Sequence, residues 1–300
     1  MVEKISNSIN PQSFKFLFKN RPNFGETAYW RIEIHIQIIT LEWSVEFLIF
    51  ETIIPIMSHE FSSAEAIVLA GGRGQRMGEL TQETQKCLLP VEGKPILSYV
   101  LDSLSQAFGS TKVKVCVSYK ANDVYQYVSK NKPSNMVVDF IYDSGGQRTV
   151  DMFRSFEGKV KPPFIGTAGD IIVASPSVYV NAMVLALNSG APIGVSVSPR
   201  VLEVDTHGVA KVKGEWLSEF QYPPPVNLDI GLLRDMTIWG FGKSAYGYLE
   251  KYNETKALSK VVALAVKNGE PVFANIYENS WYHFAYAEDL KKAPRDFPKS

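Results

Sequence analysis

Residues 66–97 read AIVLAGGRGQRMGELTQETQKCLLPVEGKPIL. An apolar run, Ala66 to Ala70, breaks into glycines at 71, 72 and 74, and Arg73, Arg76, Lys86, Pro90, Lys94 and Pro95 follow. A short continuous apolar run bounded by glycine is the pattern of a strand buried on both faces, as in a parallel sheet. Glycine lets the backbone take positive φ and come close to a ligand. Successive peptide N–H groups in such a loop make a concave seat for phosphate oxygens. The stretch therefore predicts a bare, bendable loop at the carboxyl end of a central strand, where open α/β sheets bind ligands.

The texture downstream repeats the unit. Residues 95–108 read as a helix with Pro95 in its first turn and an apolar stripe of Ile96, Leu97, Val100, Leu101 and Leu104, stopped by Gly109. Strands are expected at 113–117, 136–141, within 164–173 and at 193–198, and helices at 121–130, 148–156 and 176–188. Beyond Pro199 the segments 201–205 and 209–212 flank Thr206-His207-Gly208, which reads as a hairpin. The Tyr222-Pro223-Pro224-Pro225 loop cannot join a central strand. Helices at 244–252, 256–267 and 287–293 and strands at 271–277 and 281–284 complete the pattern. The alternation predicts an α/β fold: a three-layer, Rossmann-like α/β/α arrangement around a mixed, mainly parallel sheet, with a small β-hairpin insertion toward the C-terminus.

Two common phosphate-binding motifs fail on spacing. A Walker loop needs Gly-Lys-Ser/Thr four residues after its first glycine; counted from Gly71, Gly72 or Gly74, the required glycine position holds Arg76, Met77 or Glu79. The dinucleotide fingerprint Gly-x-Gly-x-x-Gly fits Gly72 and Gly74 but meets Met77. Position 118, after the second strand, is Ser rather than an acidic ribose ligand, which argues against a nicotinamide-dependent oxidoreductase.

What fits is Leu69-Ala-Gly-Gly-Arg-Gly-Gln-Arg-Met77, then Lys86-Cys-Leu-Leu-Pro-Val91, then Gly93-Lys-Pro95 before a helix. This stretch resembles the sugar-phosphate nucleotidyltransferase family, which includes molybdopterin guanylyltransferase-like members and has a GT-A-type fold. The resemblance is dense over residues 66–105, diffuse to about 293, and does not reach 1–57. It implies an Mg²⁺-dependent transfer in which an acceptor phosphate oxygen attacks the α-phosphorus of a nucleoside triphosphate and pyrophosphate leaves. Charge builds on the phosphates in such a reaction, so fixed cations matter more than an acid–base step. On the matching positions, the resemblance gives Arg76 to the β- and γ-phosphates and Lys86 to the α-phosphate. It gives the nucleotide Leu69, Ala70, Gly71, Gly72, Gly74 and Lys94, with Gly145 and Gly146 of the Ser144-Gly-Gly-Gln147 turn contacting base or acceptor. For Lys94, capping of the following helix is an equal alternative.

The family's strand ending in Gly-Asp resembles Phe164-Ile-Gly-Thr-Ala-Gly-Asp170, which implies Asp170 as a metal ligand. Its closing Trp-x-Asp-x₄-Glu-Asp-Leu resembles Trp281 to Leu290, where His283 stands in place of the aspartate. Imidazole is a poorer Mg²⁺ ligand than carboxylate. The family's Glu-Lys-Pro and Asn-x-Gly-Ile-Tyr acceptor elements are matched to residues 219–225 and to Asp229-Ile-Gly231-Leu-Leu233, without the lysine and with Asp for Asn. Asp229 and Gly231 are the acceptor candidates on that match. Three readings follow: transfer to a sugar 1-phosphate giving a nucleotide sugar; guanylyl transfer to a cofactor precursor, molybdopterin or a cobinamide phosphate; and a non-catalytic regulatory relative that binds nucleotide sugar.

Formal net charge is zero, which gives no global basic field for nucleic acid. The two cysteines, Cys87 and Cys116, form neither a disulfide framework nor a CxxC pair, and point to a reducing, cytoplasmic setting. With no apolar run of membrane-spanning length, no membrane partner is expected. A homo-oligomer is left open. Residues 1–57 differ in texture from 58–300, the expected nucleotidyltransferase domain. They are rich in isoleucine and aromatics, alternate polar with apolar at 31–37, and lack the basic start and cleavage site of a signal peptide. An added β element, a partner-binding extension and sequence upstream of the true start all stay open for this extension.

Overall fold

The computed structural model describes residues 64–143, 149–199, 207–225 and 231–292. The extension at 1–57, the first arm of the expected hairpin at 201–205, the turn with Gly145 and Gly146, and Asp229 lie outside the described residues.

In chain order the elements are β1 (Glu65–Leu69), α1 (Leu80–Glu83), β2 (Pro90–Val91), β3 (Lys94–Pro95), α2 (Ile96–Phe108), β4 (Thr111–Val117), α3 (Ala121–Asn131), β5 (Met136–Tyr142) and α4 (Thr149–Arg154). They continue as β6 (Phe164–Ala168), β7 (Ile171–Val173), α5 (Ser177–Asn188), β8 (Ile193–Ser198), β9 (Val209–Lys213), β10 (Trp216–Gln221) and β11 (Leu233–Phe241). The last are α6 (Ala245–Lys251), α7 (Leu258–Lys267), β12 (Phe273–Ile276), β13 (Trp281–His283) and α8 (Ala287–Lys292).

One mixed sheet runs in the order β5-β4-β1-β6-β11-β8-β12-β10-β9. Strand β1 lies parallel between β4 and β6, which explains its continuous apolar run. Ala66 and Val68 enter one core, with Leu97, Leu104, Val124, Val128 and Tyr179 from α2, α3 and α5. Ile67 enters the other, with Val150, Phe153, Leu249, Val261 and Val262 from α4, α6 and α7. Period-two alternation along β1 thus feeds both faces of the sheet.

Among the described residues β9 forms a hairpin with β10, across Gly214 at φ +64. The long strand β11 was not foreseen at all. It runs antiparallel to both β6 and β8 and carries a register shift between Asp235 and Trp239, so alternation fails along it. Strand β9 also pairs with the start of β11, which closes β11, β8, β12, β10 and β9 into a ring. The expected strand within 164–173 is two strands, β6 and β7, broken at Gly169-Asp170.

Helix α5 lies so close on β11 that a Cβ at Gly240 would sit 2.3 Å from the Ala182 carbonyl oxygen. Gly240→Ala is therefore expected to lower unfolding stability by roughly 1–3 kcal/mol in urea denaturation, through overpacking. Among the described residues no helix is long and apolar enough to cross a membrane.

Candidate active site

The loop after β1 is held from the protein side by its carbonyls. Gln85 Nε2 donates to Ala70 O at 2.7 Å and to Gly72 O at 3.1 Å, and the Tyr119 N–H donates to Gly71 O at 3.3 Å. In a trans peptide the next N–H points opposite to the carbonyl. The N–H groups of Gly71, Gly72 and Arg73 therefore face away from Gln85 and Tyr119, and all three residues line a cavity of about 860 Å³. This is an anion seat of backbone dipoles. Gly74, at φ +64, turns the chain back: a Cβ there would meet Thr81 Cγ2 at 2.9 Å and Lys86 Cβ at 3.0 Å. Gln85 is buried and was not singled out in the sequence. Gln85→Leu keeps the volume but frees both carbonyls. Unfolding stability in urea denaturation is expected to fall by about 1–3 kcal/mol for the unmet buried groups.

Lys86 and Asp170 meet across the cavity floor, Nζ to Oδ2 at 2.5 Å. Asp170 follows β6 after Gly169, and β7 pairs with β13 so that Ile171 stands opposite His283. The Phe284 N–H donates to Asp170 O at 3.0 Å, which fixes the same junction. His283 Nε2 is thereby placed 3.4 Å from Asp170 Oδ2. Burial pushes the Asp170 carboxyl up, but Lys86 and then His283 outweigh it and hold the group well below the usual carboxylate range.

A second histidine completes the chain. His207 Nδ1 donates to Asp235 O at 2.7 Å, because a carbonyl can only accept. Burial, then the nearby His283 and Arg234, push the His207 pKa well down, so its ring is neutral and Nε2 is an acceptor. His283 Nδ1, 2.9 Å away, is then the donor.

The cavity opens on two flanks of the β1–β6 centre. On one side lie Cys116 and Ser118 from the end of β4, Asp143 after β5, and Thr149 and Met152 of α4. On the other lie His207, His283 and, from β11, Thr237 and Trp239. Trp239 is buried and its indole N–H has no hydrogen-bond partner among the described residues, a donor left at the cavity wall. Thr237 stands at φ 57, a strained conformation for a β-branched residue. Asp235 holds that bulge: Oδ1 accepts from the Thr237 N–H at 2.8 Å and Oδ2 from Ser259 Oγ at 2.8 Å. Its carboxyl is pushed up to about 6 by burial, against the pull of Thr237, Ser259 and Arg234.

Of the residues singled out in the sequence, Leu69, Ala70, Gly71, Gly72, Arg76, Lys86, Asp170 and His283 line this one cavity. Arg76 also stacks over the Tyr286 ring, 5.3 Å from its centre. Gly74 shapes the loop without lining the cavity. Lys94 does not reach it: its ammonium pairs with Asp102 and sits 4.6 Å from the Tyr99 ring centre. Gly231, at φ 92, is not among the lining residues, and Asp229 of the same expected element lies outside the described residues. Thr237 and Trp239, a few residues further on, do line the cavity. His207, read as a turn residue, belongs to the site as well.

Comparison with known proteins bears on this geometry. Residues 66–272 match the model of the MobA-like NTP transferase domain. The UTP--glucose-1-phosphate uridylyltransferase AglF of Haloferax volcanii is 40% identical over 63 residues, 21% of this chain and 26% of that protein. The glucose-1-phosphate thymidylyltransferase of Streptomyces griseus is 29% identical over 174 residues, 56% of this chain and 47% of that protein. The matches thus span between a quarter and about half of these relatives' lengths. Among solved structures, the inositol-1-phosphate CTP transferase from T. maritima superposes with a TM-score of 0.61 at 20% identity, covering 79% of this chain and 99% of that one. At that identity the likeness speaks for the fold.

Proposed function

The chain belongs to the MobA-like NTP transferase domain family, and from that premise we propose that it condenses a nucleoside triphosphate with a sugar 1-phosphate, giving a nucleotide sugar and pyrophosphate. The finer fold reading goes with this: a three-layer GT-A-type domain at 58–300, with 1–57 an extension. The observation that carries the proposal is the convergence of outward peptide N–H groups, Arg76, Lys86 and Asp170 on one cavity at the carboxyl ends of β1 and β6.

In this reading the N–H groups of Gly71, Gly72 and Arg73 and the Arg76 guanidinium hold the β- and γ-phosphates. Lys86 exchanges its contact with Asp170 for one with the α-phosphate. A phosphate oxygen of the acceptor forms the new bond to the α-phosphorus, and the bond to the β-phosphate oxygen breaks with its electron pair leaving on pyrophosphate. Arg76 and the loop dipoles meet that departing charge, which is where preformed cations lower a barrier most. We assign the base to the flank of Ser118 and Asp143, and Gly145 and Gly146, outside the described residues, stay candidates for its contact. We assign Thr237 and the Trp239 N–H to the acceptor flank, beside the acceptor candidates Asp229 and Gly231.

The Asp170 carboxylate is a hard oxygen donor that suits Mg²⁺; the His283 imidazole suits it less. Bound at Asp170, a divalent cation would neutralise phosphate charge. The names of the relatives above, which act on glucose 1-phosphate, support a sugar 1-phosphate over a cofactor precursor.

The test is pyrophosphate release by the full chain with each of four nucleoside triphosphates, against sugar 1-phosphates and a molybdopterin or cobinamide phosphate acceptor. Release with one triphosphate and a sugar 1-phosphate supports the proposal. Release only with a cofactor precursor replaces the acceptor. Nucleotide-sugar binding without any release replaces the enzyme by a regulatory relative.

A further inference from the structure

Arg76 is exposed, on a single helical turn, Gln75–Met77, and lines the cavity. A long side chain in such a place samples many rotamers unless a neighbour holds it. The neighbour comes from the other end of the described chain. Met77, next to Arg76, is buried in a small apolar cluster with Ile172 and Phe284, and Leu290 packs against that cluster. The segment around Phe284 is fixed by its peptides. The Phe284 N–H donates to Asp170 O at 3.0 Å, and the Ala285 and Tyr286 N–H groups donate to Asp289 Oδ2 at 2.8 and 2.7 Å. The Tyr286 ring stands between these fixed points, half-buried, with the Arg76 guanidinium carbon 5.3 Å from its centre. The other arginine of the loop is placed alike. Arg73 lies 5.8 Å from the centre of the Tyr119 ring, whose hydroxyl donates to Thr81 O at 3.0 Å. The lysines differ: Lys86 and Lys94 pair with Asp170 and Asp102. Among the described residues neither loop arginine forms an ion pair with a carboxylate.

A carboxylate would place a guanidinium and also neutralise it. A ring face places it through the ring quadrupole and leaves the charge and the N–H donors at the guanidinium edge for another anion. From this geometry we infer that Tyr286 is a positioning residue for the triphosphate: its ring holds Arg76 aimed at the cavity before the ligand arrives. Ordering that side chain in advance strengthens binding without adding a contact. The role rests on the assignment of Arg76 to the β- and γ-phosphates. Tyr286 touches no phosphate and acts through Arg76 alone.

The experiment is a double-mutant cycle on the full chain, read as affinity for inorganic triphosphate by calorimetry with Mg²⁺ present. Pyrophosphate release is measured alongside. Tyr286→Leu is expected to weaken triphosphate binding about 2- to 5-fold, the loss of one cation–π contact at an exposed site. In an Arg76→Ala background the same substitution is expected to change nothing. Tyr286→Phe keeps the ring and is expected to bind as the wild type does. Tyr286→Glu is expected to weaken binding more than about tenfold, because its carboxylate occupies the guanidinium and repels the triphosphate.

An equal loss from Tyr286→Leu with and without Arg76, or a loss in Tyr286→Phe as large as that in Tyr286→Leu, overturns the inference. Should Tyr286→Leu fail to fold by circular dichroism, Tyr286→Met takes its place in the cycle, since an unbranched chain fills an irregular gap. Triphosphate binding coupled to Tyr286 without pyrophosphate release upholds the positioning role and sinks the reaction. Pyrophosphate release with Tyr286 uncoupled from Arg76 sinks the positioning role and leaves the reaction standing. No triphosphate binding by the wild type sinks the phosphate site and the positioning role with it.

Discussion

Lys86→Ala is expected to lower kcat/KM for pyrophosphate release about a thousandfold, at the upper end of what loss of one preformed donor to a transition-state charge costs. In the proposed reading Lys86 is drawn both to a protein carboxylate and to the incoming phosphate. Its stem packs beneath Gly74, so the ammonium is aimed at the floor of the cavity rather than at solvent. Lys86→Arg is not expected to rescue, because the planar fork needs room that the Gly74 turn does not leave.

The same substitution removes the first-named charge that holds Asp170 ionised. The sign follows from the depressed carboxyl. The pair stabilises the fold above the ordinary carboxylate range, and that stability is lost as pH falls through the depressed value. Lys86→Ala is therefore expected to lose about 2–3 kcal/mol at neutral pH, less than a fully buried pair because Asp170 is 20% exposed. The loss should shrink as Asp170 is protonated. A double-mutant cycle with Asp170→Asn in urea melts at pH 7 checks this; additive losses would show that the ion pair is not its cause.

Asp235→Asn is expected to stabilise the protein at pH 8 by up to about 3 kcal/mol, from a shift of about two units at 1.36 kcal/mol each. Burial raises this carboxyl from 3.8 to about 6, so the folded state pays to keep it ionised. In the wild type, stability is fully present below the unfolded value near 4 and declines as pH rises through about 6. Asparagine removes that decline. Its oxygen still accepts the Thr237 N–H, and the Ser259 hydroxyl can turn to accept from its amide. Thermal melting from pH 4 to pH 8 reads the effect. A variant less stable than wild type at pH 8 would show that the ionised form is well compensated.

The central strand, its glycine loop, Lys86 and Asp170 were legible because each lies in an unbroken local pattern. A strand buried on both faces writes a continuous apolar run, and a phosphate loop writes its glycines at fixed spacing. At the level of the family, the resemblance read from residues 66–97 is shown. Strand β11 was not legible. Its bulge shifts the alternation, and a buried aspartate sits in its middle, both of which read as loop. Thr237 and Trp239, which line the cavity from this strand, were lost with it. Gln85, His207 and Lys94 were misjudged for another reason. A buried glutamine clamp, a histidine joined to a strand distant in sequence, and a lysine drawn to Asp102 are all decided by partners that no local window contains.

The five-strand ring has a consequence for how the molecule breathes. Strands β8, β12, β10 and β9 each have neighbours on both sides, since β9 returns to β11, whereas β5 borders the described sheet at its other end with only β4 beside it. An edge strand leaves alternate peptide groups bonded to water. In deuterium, amides of the ring are therefore expected to retain their protons longest, and the outward amides of β5 to lose them first. Local opening then starts on the flank assigned to the base, while the acceptor flank is carried by the part of the sheet that opens last.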